Sequence, residues 1–450
     1  MMQNLFVLFA LLAVSSGCDV KVGVFTTIGT LSITTQENFF AAAGLNSVCT
    51  VNVPNSVAAY QYLANGTVDL LTGSIDNTLN RVFNRLQNVT ALALTDLGPD
   101  YIIAGANGVN SIADLRGKSV IVDAVNSGFA YLIQSILLSN GLVLNKDYTF
   151  VAVGSTPLRY AALLKGQANN QTVYASLLTY PYSGYLQFAN RTDLKVIARA
   201  SDYISTYAAS SLNVQTSSLQ NATKVELYTR YLTAYVLTSN LLADPNNAGR
   251  IINDLARDLN VSTAVATYQY SVISDKRTGD AALPTFIAPP LAVLTTSNLR
   301  QQFGGYTNLS NFTTAGIPKT NGGVVFDYTI LQQAMLRATA IQAVIGCPFN
   351  VSQKFVASYP SVSGTVSVYR VVIVNKSNAA AAPSFEVSSA QNPHLVWQIG
   401  LSAKGYQSSI NAYQYNPILL NLSQKIAAGG HFAFDYGSNS GLIDFGLIGC

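Results

Sequence analysis

The chain has 450 residues, of which 49% are hydrophobic and only 10% charged, with 25 Lys and Arg against 21 Asp and Glu. That apolar content excludes a disordered chain and supplies material for more than one compact core. A net charge of +4 is too weak for nucleic-acid binding, and past residue 17 no unbroken apolar run reaches the roughly 20 residues of a membrane-spanning helix.

Residues 5–14 are unbroken apolar and run into Ser15, Ser16, Gly17 and Cys18, the pattern of a secretory signal peptide over 1–17. Secretion implies an oxidising compartment, so the four cysteines are expected to pair, with three pairings open. Cys18 with Cys49 is favoured because the two open strand-like runs, CDVKVGVF and CTVNV, that should lie side by side. Cys347 with Cys450 would then clasp the last segment. Eleven Asn-x-Ser/Thr sites, at Asn65, Asn88, Asn170, Asn190, Asn221, Asn260, Asn308, Asn311, Asn350, Asn375 and Asn421, point to a glycoprotein whose glycans supply the surface polarity that charge does not.

From 19 to about 340, short β-rich runs alternate with helical stretches, the signature of an α/β layer protein. Strands are predicted over 21–26, 51–53, 70–72, 91–96, 101–104, 119–122, 149–153 and 195–199. Helices are predicted over 57–64, 75–86, 129–140 and 158–165, with a helical block over 222–270. After Cys347 the texture changes to strands separated by Gly and Asn turns, over 354–359, 366–374, 385–387, 394–401, 430–436 and 442–448, which reads as a β-sandwich. Two folding units joined near Ala343 are therefore expected.

Catalytic material is sparse. The histidines, His394 and His431, are far apart, the cysteines lack close paired spacing, the glutamates are only Glu37, Glu226 and Glu386, and no GxSxG motif occurs. No enzyme activity, metal site or cofactor is expected.

The stretch VNSIADLRGKSVIVDAVNSGFAYLIQSILLSNGL, with Asp114, Leu115, Gly117 and Lys118, resembles a segment of type 2 periplasmic-binding proteins of the nitrate, sulfonate and thiamine-precursor branch. VGVFTT, YLANGTVDLLTGS (62–74), VGSTPLRYAALLKGQ (153–167) and VFDYTILQQA (325–334) agree in order. The resemblance implies a two-lobed α/β fold over 18–342, lobe one being 18–98 with 200–342 and lobe two 99–199, around a ligand cleft. Strand-to-helix turns would line that cleft through Thr26, Thr27, Gly73, Ser74, Asn126, Ser127, Gly128 and Tyr180. Each of these residue types also makes ordinary caps and turns.

The segment 347–450 is similar to family 49 carbohydrate-binding modules, through VSQK (351–354), VYRVVIVNKS (368–377), LVW (395–397) and AGGHFAFDY (428–436). The second tryptophan of that family is replaced by YQYNP (413–417). The similarity implies a cellulose or β-glucan partner held on Trp397, Tyr406, Tyr413 and Tyr415, in a cell wall or extracellular matrix. The expectation is thus a secreted, non-enzymatic polysaccharide binder. The alternative is an extracellular solute-binding protein whose cleft takes a small anion or a pyrimidine-like molecule.

Overall fold

The computed structural model describes residues 17–25, 29–98, 101–188, 192–307 and 325–344, side chains as far as 339, and beyond these the backbone of strands between 349 and 449. Among the sequence-predicted features, the apolar run at 5–14, Thr26 and Thr27, the sites at Asn190, Asn308 and Asn311, and Cys347, Cys450, Tyr406, Tyr413 and Tyr415 lie outside the described residues. The chain divides into two compact units, Met1–Ala334 and Met335–Cys450.

In chain order the first unit contains β1 (Val20–Val24), α1 (Gly29–Gln36), α2 (Phe39–Ala42), β2 (Val48–Asn52), α3 (Ser56–Ala64), β3 (Leu70–Ser74), α4 (Ile75–Phe83), β4 (Val89–Leu94) and β5 (Ile102–Gly105). There follow β6 (Lys118–Val122), α5 (Gly128–Ser139), β7 (Tyr148–Ala152), α6 (Thr156–Lys165), the short pair β8 (Gln167–Ala168) and β9 (Gln171–Thr172), β10 (Ala175–Leu178), α7 (Tyr182–Phe188), β11 (Lys195–Arg199) and β12 (Ser210–Gln215). The helical block resolves into α8 (Ala222–Ala243), α9 (Ala248–Asp258) and α10 (Thr263–Ile273), and α11 (Pro290–Gln302) and α12 (Thr329–Val344) complete the series.

Two five-stranded sheets form, one in the order β2-β1-β3-β12-β4 and the other β11-β5-β10-β6-β7. In the first, β1 runs parallel to β2 and β3, and β12 is antiparallel to β3 and β4. In the second, β10 is parallel to β6 and antiparallel to β5. The chain leaves the first sheet after β4 and re-enters it at β12, so two connections join two α/β lobes. Continuous apolar strands such as β4 (VTALAL), buried at every position, are what a sheet covered by helices on both faces requires.

Local chemistry sets the helix starts. The Asn55 side chain accepts from the amides of Val57 and Ala58 at α3, Ser127 caps α5 through the Ala130 amide, and Asn221 caps α8. Lobe two packs Val120, Val122, Ile133, Ile136, Leu137 and Tyr148 into one core. In lobe one Cys18 and Cys49 are joined by a disulfide, and Lys21 lies opposite Cys49 in the parallel β1/β2 register.

In the second unit β13 (Phe349–Ser361), β14 (Gly364–Asn375), β18 (His431–Ser438) and β16 (Leu395–Gly400) pair in that order. A three-stranded sheet has the order β17 (Ile418–Asn421), β15 (Ser384–Ser388) and β19 (Asp444–Gly449). Both are antiparallel. Trp397 falls within β16. Among the described residues no helix is long and apolar enough to cross a membrane.

Candidate functional site

A cavity of about 90 Å³ lies between the two lobes of the first unit. Much of its wall comes from the carboxyl ends of β3, β4, β6 and β10, where α/β sheets place their ligands, with the antiparallel β5 and β12 contributing at their amino ends. Lobe one contributes Thr72, Gly73 and Ser74 at the end of β3, Thr95 and Asp96 just past β4, and Ser210 at the start of β12. Lobe two contributes Tyr101 before β5, Asp123 after β6, Phe129 in α5, Thr156 and Arg159 in α6, and Thr179 and Tyr180 after β10. Asp280 closes one side.

Of the sequence-predicted cleft residues, Gly73, Ser74 and Tyr180 line this cavity. Asn126, Ser127 and Gly128 are not among its lining residues and have other partners. The Asn126 carbonyl accepts from Arg300 Nη2 at 2.9 Å. Ser127 donates to Asp123 and caps α5. Gly128 is pressed against α4: a Cβ there would sit 2.8 Å from Asp76 Cβ and 3.0 Å from Ser74 Oγ.

Sequence reasoning passed over Asp96, Asp123, Arg159, Asp280, Thr72, Tyr101 and Phe129. For Asp96 and Asp123 a signal existed, because Asp96 ends the predicted strand 91–96 and Asp123 directly follows the one over 119–122, where a carboxylate is out of place unless it has work to do. Asp280 carries no such signal, being brought in from the connection after α10.

The electrostatics are uneven. Asp123 is buried and accepts from Ser56, the first residue of α3, and from Ser127, the cap of α5. Its carboxyl therefore stands before two helix N-termini, the position an anion would favour. Arg159 is 1% exposed, and all three of its nitrogens are engaged by the protein. Nη1 donates to the Gly154 carbonyl at 2.7 Å, Nη2 to Thr156 Oγ1 at 2.9 Å, and Nε to the Leu177 carbonyl at 3.4 Å. Its guanidinium also lies 5.2 Å from the Phe129 ring centroid.

Asp96 and Asp280 are both buried. Asp96 accepts from the Gly98 amide at 3.0 Å, and Asp280 accepts from Thr30 and, at 3.2 Å, from the Tyr180 hydroxyl. Burial pushes the Asp96 carboxyl above the usual range. Asp280 is pushed well above it, by burial first and by the charge of Asp96 second. Burial likewise raises the hydroxyls of Tyr101, Tyr180 and Tyr207, with Asp96 adding to each. Among the described residues no Lys, Arg or His pairs with either carboxyl, and no group of three or more His, Cys, Asp and Glu could hold a metal ion.

A family model described as the phosphonate periplasmic substrate-binding protein of an ABC transporter matches residues 53–222. Three solved structures share the fold. One is a protein from Bordetella bronchiseptica RB50, 18% identical, covering 70% of this chain and 96% of that one, with a TM-score of 0.53. The periplasmic nitrate-binding protein from Synechocystis PCC 6803 is 12% identical over 70% of this chain and 88% of its own, with a TM-score of 0.55. The alkanesulfonate-binding protein from Xanthomonas axonopodis pv. citri, bound to MOPS, is 16% identical over 63% and 92%, with a TM-score of 0.50. A search of curated proteins finds no significant match.

The first unit has the two-lobed α/β fold of type 2 periplasmic-binding proteins.

These findings correct the expectation of a polysaccharide binder. The family model that matches describes a phosphonate substrate-binding protein, and a cavity of about 90 Å³ has the size of a small solute, not of a polysaccharide chain. The cellulose or β-glucan partner and the matrix role fall with that expectation. The family 49 likeness of 347–450 is not supported by the comparisons.

Proposed function

We propose that this chain is an extracytoplasmic solute-binding protein that captures a small molecule between the two lobes of its first unit and hands it to a membrane partner of the ABC-transporter type. The observation that carries the reading is the small cavity walled by strand ends from both lobes. Its size suits a ligand of a handful of non-hydrogen atoms. The phosphonate-binding family match over 53–222 and the fold shared with nitrate- and alkanesulfonate-binding proteins support the same reading. Gly73, Ser74 and Tyr180 are the sequence-predicted residues that the reading places against the ligand.

The test is a thermal-shift screen of the full chain against small anions, aminopyrimidines and small amines. A ligand present at 100 times its Kd stabilises the folded protein by about 2.7 kcal/mol, a readily measured shift. Failure of every class at millimolar concentration would sink the proposal.

A further inference from the structure

The cavity differs in charge from what an anion needs. Three carboxyls, Asp96, Asp123 and Asp280, line it against one guanidinium, Arg159. The nitrogens of Arg159 are directed to the Gly154 and Leu177 carbonyls and to Thr156. Two of the helix N-termini beside the cavity, those of α3 and α5, face the carboxyl of Asp123 through Ser56 and Ser127. An arriving anion would meet three carboxyls and a guanidinium whose nitrogens are already bonded to protein oxygens, with the first turns of α4 at Ser74 and α6 at Thr156 left to attract it.

The same walls suit the opposite charge. Four aromatic residues, Phe25, Tyr101, Phe129 and Tyr180, line the cavity with the carboxyls, and ring faces attract cations most strongly where water is excluded. A separate observation also points to a ligand. Thr72 lines the cavity, is 7% exposed, and its buried Oγ1 has no hydrogen-bond partner. A buried hydroxyl left without a partner is destabilising, and a ligand N–H would relieve it.

Resting on the solute-binding reading, we infer that the cavity selects a small organic cation, an amine or amidine, whose N–H groups are received by Asp96 and Asp280, with Thr72 as a further acceptor. The raised carboxyls fit this assignment, since a cation beside them favours their charged form and its binding releases whatever proton they hold. The titratable and charged groups around the pair are Tyr180 after β10, Tyr101 before β5 and Tyr207 before β12, with Asp123 and Arg159 also on the cavity wall and the Asp76–Arg300 pair nearby.

The experiment is isothermal titration of the full chain at pH 8 with ethylamine and acetamidine, and in parallel with nitrate, methanesulfonate and methylphosphonate. An amine or amidine is expected to bind, with a heat that varies with the ionisation enthalpy of the buffer, and to bind at least tenfold more weakly at pH 5. Asp280→Asn and Asp96→Asn should each weaken it at least tenfold. The pH series needs no variant and stands even if one of these fails to fold. Binding of the anions without the cations, or cation binding unchanged in both folded variants and across pH, overturns the inference and leaves the solute-binding reading standing. Silence from all five probes overturns the inference, and silence across the wider thermal-shift screen overturns the reading beneath it.

Discussion

Arg300 and Asp76 form an ion pair whose side chains are 1% and 2% exposed, with Nε 2.9 Å from Oδ1. Arg300 Nη2 also reaches the Asn126 carbonyl at 2.9 Å, and the guanidinium lies 4.6 Å from the Tyr131 ring centroid. Asp76 opens α4 in lobe one, whereas Asn126 and Tyr131 belong to lobe two. One side chain from α11 thus pins both lobes at the mouth of α4 and α5.

Removing one partner of such a pair leaves an uncompensated buried charge. Arg300→Met is therefore expected to lower the stability of the folded chain by about 3–5 kcal/mol, read from urea unfolding. The double variant Asp76→Leu, Arg300→Met should recover most of that loss, because burying two charges costs nearly what their attraction returns. Equal loss in the single and double variants would show that packing, not charge, is what Arg300 contributes.

Gly128 lies at the same junction. Its α-carbon meets Asp76 and Ser74 so closely that an added methyl would overlap them. Gly128→Ala is expected to cost about 1–3 kcal/mol by overpacking. The first turns of α4 and α5 should exchange their amide hydrogens faster, since the two helix starts can no longer close on each other. Unchanged exchange in both turns would mean that the lobes shift to accept the methyl.

The lobes were legible in the sequence because their strands are short apolar runs separated by helical spacing, and the connections fall near 98 and 200. What escaped was polar or distant. The strand β12, SSLNVQ, lacks an apolar run; it is held between β3 and β4 by its antiparallel ladders, and the buried Asn213 side chain donates to the Leu71 carbonyl and accepts from Thr78. The DLRGK segment, which carried the family resemblance, builds a turn: Asp114 accepts from the amides of Asn110 and Ser111, and Gly117 takes φ +74°. Of the turn residues expected at the cleft, Gly73, Ser74 and Tyr180 line the cavity. The charged part, Asp96, Asp123, Arg159 and Asp280, is assembled from positions far apart in the chain, and local pattern cannot reveal such meetings.

The Cys18–Cys49 bridge spans 31 residues of lobe one. Closing a loop of that length restricts the unfolded chain by roughly 3–4 kcal/mol in the chain-entropy model. Cys18→Ser with Cys49→Ser should lower the urea midpoint accordingly, and reductant should lower the wild type at least as far. A wild-type midpoint indifferent to reductant would contradict a stabilising role.

Asp280 and Asp96 give the empty protein an inverted pH dependence at this site. An unfolded aspartate titrates near pH 3.9, whereas burial holds both carboxyls above the usual range in the folded chain. Between the unfolded and folded values the native state binds more protons than the unfolded state, so stability from this pair falls as pH rises through that window. Asp114 and Asp275, held below the usual carboxylate range, act in the other direction, so the contribution is isolated by difference. Asp280→Asn keeps the shape and removes the titration. Its stability relative to wild type is expected to increase steadily from pH 4.5 to pH 8, measured by urea unfolding in the absence of amines. A constant difference across that range would show that Asp280 titrates alike in the folded and unfolded chain, and the proton-for-cation exchange would lose its physical basis.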